Sequence, residues 1–432
     1  MNFSRWFLAS FLGDWVNVFA AYLNAGSILA AGSAATWYLR RFGNPLIPFA
    51  RLWILVVCAL VVILAVRGFA QGLILRFVVY DASAFALILI FVVIGAVPQA
   101  FEDMRKVWFL TLVMAIPLNL AALTDMTAML ERLQTGDRVT HDTLSYRTQN
   151  ILDVVVLLLP FAFTFSGWRF AVVVAGICLV LLQQVIYQKR LDSIYFLLVI
   201  AGSGWCWSRY RTLWRHGLAT KFRRMLVMLI LVAGSVLALG NRYFVPQLNA
   251  LMDRFAGRSH DIRYDSGFFR YAALENERFE IIVESFASFR PRDWIFGRGM
   301  GGGVEWNGFE PEILSTSKRE EVWDALYLPD YGYFGRRNFE VGVMTLVLKG
   351  GVLLFLAYYF GFVLMFLRQN QLRQSLVGLL CLWIVALQLT YSIIGGDFML
   401  SAAFQMANTA ACLGVGLSRF STWAAPAPWR SK

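Results

Sequence analysis

The chain has 432 residues, of which 59% are hydrophobic and only 15% charged, with a mean hydropathy of +0.60. A soluble globular protein carries about 25% charged residues, so this composition excludes a soluble enzyme, a disordered chain, a coiled coil, collagen and a small disulfide scaffold, and reads as a polytopic, all-α membrane protein. The net charge of +12 is read as basic loops facing anionic lipid rather than as a nucleic-acid surface.

The first apolar region, 6–39, contains Asp14 and Asn17 and forms either one span plus an interfacial helix or two short spans. Further apolar runs lie at 47–66, 83–99, 106–123, 149–165, 169–186, 192–208 and 223–239, and then at 341–367, 376–394 and 398–418. At about 20 residues per crossing these give about eleven to twelve transmembrane helices. The chain thus divides into N-terminal spans (1–240), a long polar segment (241–340), C-terminal spans (341–418) and a polar tail (419–432). Residues 209–224 carry Arg209, Arg211, Arg215, Lys221, Arg223 and Arg224 and no acid, which the positive-inside rule places in the cytoplasm. The 241–340 segment then lies outside, the tail inside, and 124–148 forms a second, smaller external segment.

The long segment holds 13 of the basic and 16 of the acidic residues, a net −3, which leaves +15 on the rest of the chain. Within it, Leu274, Ile281, Ile282, Phe286 and Phe289 recur at helical spacing and predict an amphipathic helix over 270–290, stopped by Pro291. A turn-rich stretch, 294–303, follows, then an acidic and aromatic part, 304–337. Asn338 is placed to cap the next transmembrane helix, with Glu340 in its first turn. The run Gly297-Arg-Gly-Met-Gly-Gly-Gly303 has no βαβ unit around it and is not a nucleotide fingerprint. It reads either as a backbone turn that approaches a ligand or another helix closely, or as a plain loop.

Twelve of the 13 basic residues in this segment are arginine. Guanidinium groups bind phosphate and diphosphate through two parallel hydrogen bonds, although ion pairs with the 16 acids account for most of these arginines. Arg270 and Arg278 stand out because they lie on the predicted helix. Glu275 and Glu277, two residues apart, point to different sides of it and make a poor metal site. The five cysteines and three histidines are too scattered for a disulfide framework or a histidine metal centre. Lys349 lies about two turns inside an apolar run, where a lysine takes a carboxylate or phosphate partner.

Three features together resemble the O-antigen polymerase and O-antigen ligase superfamily of bacterial inner-membrane glycosyltransferases. One is the number of spans with a single large late loop. Another is the pattern Arg278-Phe-Glu-Ile-Ile-Val followed by Trp294-Ile-Phe-Gly297-Arg-Gly299. The third is the re-entry segment Asn338-Phe-Glu340 to Lys349-Gly-Gly351. In that family a His stands where this chain has Glu340 and a Glu where it has Lys349. The missing His departs from the ligases and agrees better with the more variable polymerases.

The resemblance implies a metal-independent glycosyltransferase without a cofactor, a polymerase in polysaccharide (exopolysaccharide or O-antigen) biosynthesis. Its donor would be a glycan on undecaprenyl diphosphate and its acceptor the terminal sugar of another lipid-linked repeat unit. Partners would be these lipid-linked glycans, the bilayer and a chain-length regulator protein, with no nucleic acid. Arg270 and Arg278 would face the diphosphate, supported by Arg298 or Lys349, and Glu340 would serve as base, with His260 or Glu305 next in line. Arg336 and Arg337 complete the candidate substrate contacts and are also the partners Glu340 would take in a plain ion pair. A ligase that moves the glycan to lipid A core, and a non-enzymatic polytopic transporter, are the alternative readings.

Overall fold

The computed structural model describes residues 15–73, 75–123, 151–152, 154–165, 167–187, 190–209, 286–305, 327–328, 333–336, 342–394 and 404–419. The architecture is all-helical. In chain order it comprises α1 (Trp15–Phe42), α2 (Pro48–Ala70), α3 (Leu75–Gly95), α4 (Pro98–Leu123), a 3₁₀ turn (Leu159–Thr164), α5 (Trp168–Tyr187) and α6 (Arg190–Arg209). After these come α7 (Pro291–Phe296), α8 (Gly342–Leu367), α9 (Gln369–Leu372), α10 (Leu376–Ile394) and α11 (Phe404–Leu417). The late polar segment adds a small antiparallel ribbon of three strands, Val304–Glu305, Tyr333–Arg336 and Tyr327–Leu328 in spatial order.

Among the described residues, α2, α8 and α10 are each long and apolar enough to cross a membrane alone. The pair α3–α4 passes as a unit but turns through 114° at the break before Pro98. The predicted run 83–99 begins eight residues late, because Arg76 and Asp81 interrupt its apolar start, and ends past the break that Pro98 marks. The run 149–165 closes in the 3₁₀ turn at Pro160, whose missing N–H cannot continue an α-helical ladder. The predicted span at 223–239 and the external segment at 124–148 lie outside the described residues.

Close backbone approach packs α3 against α11. A Cβ on Gly95 of α3 would overlap the Ala411 backbone of α11, and one on Gly414 of α11 would overlap the Val92 carbonyl. Ala407, Ala411 and the pair Ala410–Gly414 repeat small residues every fourth position along α11, the spacing that lets helices meet closely in lipid. Buried polar pairs add further contacts between helices. Trp108 Nε1 donates to Asn408 Oδ1 at 2.6 Å, Tyr195 OH to Gln388 Oε1 at 2.7 Å and Gln183 Nε2 to Asn119 Oδ1 at 2.9 Å. The outer faces of α2 and α8 expose Phe49, Leu52, Leu55, Val62, Leu356 and Phe360, an apolar face suited to lipid.

Candidate functional site: a glycine loop seated on a buried Lys–Asp pair

Pro291 does not only stop the preceding turn; it occupies the first position of α7, where its missing N–H costs nothing. The Asp293 carboxylate accepts from Arg290 N–H at 3.1 Å and so caps this short helix. Residues Trp294–Phe296, read from sequence as part of a turn, are therefore its last turn. Only after Gly297 does the chain leave helical geometry.

The descent of the loop into the bundle is made possible by a break in α8. Gly351 takes φ 63° and ψ −168°, a left-handed conformation that interrupts the helix formed by the apolar run 341–367. Carbonyls before such a break lose their intrahelical donors, and in lipid every such group needs a partner. The loop supplies them. Arg298 N–H donates to Leu348 O at 2.8 Å and Gly299 N–H to Lys349 O at 3.0 Å. Met300 N–H then reaches Leu64 O of α2 at 3.1 Å, and Gly301 N–H reaches Asp81 Oδ2 of α3 at 2.8 Å. Four successive amides thus dock on three different helices. Gly297 makes the turn at φ 62°, and a Cβ there would overlap the Gly350 backbone. Met300 carries its side chain fully into the hydrophobic core.

Beneath the loop lies the ion pair. Lys349 Nζ stands 2.8 Å from Asp81 Oδ2, and both side chains are 0% exposed. Lys349 also donates to the Gly302 carbonyl. One carboxylate oxygen therefore takes the ammonium and a loop amide together, while the ammonium holds a loop carbonyl. Lysine so deep in an apolar span does have a carboxylate partner. Above the loop, Arg67 of α2 pairs with Asp293 at 2.8 Å and lies over the Phe296 ring. The Gln71 amide, turned so that its nitrogen donates to Arg298 O at 2.8 Å, accepts from Arg67 Nε at 3.2 Å. Arg298 itself reaches back, donating to Ser288 Oγ at 2.6 Å and Gly303 O at 3.1 Å and covering the Phe289 ring. Phe286, Phe289 and Trp294 form one aromatic cluster, and Trp294, Ile295 and Phe296 are turned outward.

Of the residues singled out from sequence, Arg298 and Lys349 are brought together in this site, on opposite sides of the same loop. Arg270, Arg278, His260, Arg337 and Glu340 lie outside the described residues. So do the side chains of Glu305 and Arg336, which sit in neighbouring strands, Glu305 opposite Gly335 and Arg336 opposite Val304. Asp81 and Arg67 were missed. Asp81 sits six residues into α3 and Lys349 seven into α8, both about 10 Å along their helices at 1.5 Å per residue, a match that shows only once the helix starts are known, because the apolar run read from sequence begins at 83. Two opposite charges at one depth in apolar runs predict a pair. Among the described residues no cluster of three or more His, Cys, Asp or Glu side chains is gathered for a metal ion. Chemically, the site offers guanidinium groups at the rim and a backbone held rigidly below them. Compared with known proteins, the chain matches no family model, no curated protein and no solved structure.

Proposed function

We propose that the protein is a polysaccharide polymerase of the bacterial cytoplasmic membrane, transferring a glycan from undecaprenyl diphosphate to the terminal sugar of another lipid-linked repeat unit. One observation supports this reading above others: the arginine-rich late segment is rooted in the helical core, through four consecutive amides and the Lys349–Asp81 pair. A loop fixed in this way suits a site at the bilayer surface, where a lipid diphosphate lies and its glycan projects into water. In this reading about eleven spans carry the site and residues 241–340 face the periplasm. Arg270 and Arg278 neutralise the departing diphosphate, since preorganised cations act where charge develops. Glu340, two residues before the start of α8, takes the proton of the acceptor hydroxyl. Lys349 and Asp81 are positioning residues: they hold the loop and do not touch substrate.

The test is deletion of the gene with gel analysis of the glycans made, followed by complementation. The proposal predicts a product limited to a single repeat unit in the deletion. Unattached long chains would assign the protein to the ligases, and an unchanged ladder would remove it from glycan assembly. Arg278→Ala should fail to restore polymer while reaching wild-type abundance in the membrane, since loss of one charge-assisted contact to a buried diphosphate costs about 2–5 kcal/mol. Arg278→Lys should restore it poorly, because an ammonium lacks the planar fork.

A further inference from the structure

At the other end of the bundle the α1–α2 connection is clamped to the end of α11. Leu46 and Ser418 form an antiparallel bridge, Ile47 N–H donates to Leu417 O at 3.1 Å and Arg419 N–H to Pro45 O at 2.7 Å. Three arginines gather on this short piece of backbone. Arg51 Nε and Arg419 Nε both donate to the same oxygen, Leu46 O, at 3.1 and 3.2 Å. Arg368 donates to Gly416 O and Ser418 O, each at 2.9 Å. Arg51 makes one further bond, to Asn44 O at 3.4 Å. Among the described residues neither Arg51 nor Arg419 has a carboxylate within ion-pair distance.

Two guanidiniums held to one carbonyl oxygen repel each other, and most of their five N–H groups each remain for another acceptor. An anion between them would relieve the repulsion, and phosphate fits the guanidinium fork. The surroundings identify which phosphate. Arg51 is flanked by Phe49 and Leu52, which are 66% and 58% exposed on the apolar outer face of α2. Arg40 and Arg41 close the last turn of α1, with Arg41 over the rings of Trp37 and Phe42. The arginines therefore stand where an apolar flank meets a polar end, at headgroup level, with a surface for acyl chains directly beside them. We propose that Arg51 and Arg419, backed by Arg368, bind the phosphate of an anionic glycerophospholipid, whose acyl chains lie along Phe49 and Leu52.

The full chain, purified in neutral detergent and stripped of lipid, would be unfolded thermally with added phosphatidylglycerol, phosphatidylcholine or inorganic phosphate. Phosphatidylglycerol should raise the wild-type midpoint by about 2–6 °C, and the other two should not. Arg51→Gln/Arg419→Gln should lose most of that rise, whereas Arg373→Gln, an exposed arginine of the same end, should keep it. If the double variant does not fold, Arg419→Gln alone, which removes one side-chain hydrogen bond, should carry at least threefold less co-purified anionic lipid by native mass spectrometry. An equal rise with phosphatidylcholine, an equal rise in the double variant, or a full rise with inorganic phosphate alone overturns the proposal. So does wild-type lipid retention in Arg419→Gln.

Discussion

The two ends of the bundle handle positive charge in opposite ways. At the loop end, a lysine lies wholly inside the packed core and is matched by one loop carbonyl and one carboxylate, which also accepts a loop amide. At the clamp end, arginines rest on backbone carbonyls at the surface, and Arg419 is exposed. The difference follows from the medium. A charge removed from water needs an opposite charge and hydrogen-bond partners to be tolerated. A charge at the surface needs only a carbonyl, since its other hydrogen bonds can be made outside the protein. The first arrangement locks a loop to three helices; the second leaves binding capacity at the surface.

The contrast is broken most severely at Lys349. Lys349→Met should leave Asp81 buried without its cation and destabilise the fold by about 3–5 kcal/mol, read from unfolding in mixed micelles and from new protease cuts within 286–303. Gly297→Ala comes next. It combines a strained backbone with an overlap on the Gly350 backbone, and should cost about 2–4 kcal/mol by the same assay. Tyr195→Phe keeps the ring and removes the hydroxyl with its hydrogen bond to Gln388, and should cost about 1 kcal/mol, as single interhelical hydrogen bonds in membranes do. Lys106→Gln removes a pair with Asp103 that is 53% and 39% exposed, and should change stability by no more than about 0.5 kcal/mol. A Lys106 effect as large as that of Lys349 would erase the distinction between buried and surface charge on which the comparison rests.

The sequence makes the helices legible because lipid demands long apolar runs, and α2, α5, α6, α8 and α10 begin and end within a few residues of their predicted bounds. It misplaces α3 because Asp81 serves the interior: it looks like an interruption until its partner on α8 is known. The break at Gly351 was not predicted, although Lys349-Gly350-Gly351 is plain in the chain. Nothing local says that a loop some fifty residues earlier will supply the missing amides. The close-approach reading of Gly297–Gly303 anticipated the docking, but not the helices it docks on. The late segment's arginines point to anion chemistry by residue type alone. How they are arranged in space depends on contacts between segments far apart in the chain, which periodicity does not carry.

The claim that the late loop is rooted in the membrane core by Lys349 and Asp81 is tested most directly by a double-mutant cycle at these two positions. Asp81→Leu, Lys349→Met and the double variant would be unfolded in the same micelles. Each single variant leaves one buried charge alone and should lose about 3–5 kcal/mol, while the double variant leaves none and should lose clearly less than the sum, with at least about 2 kcal/mol of coupling. Losses that simply add would show that the two side chains act independently, and would contradict the account.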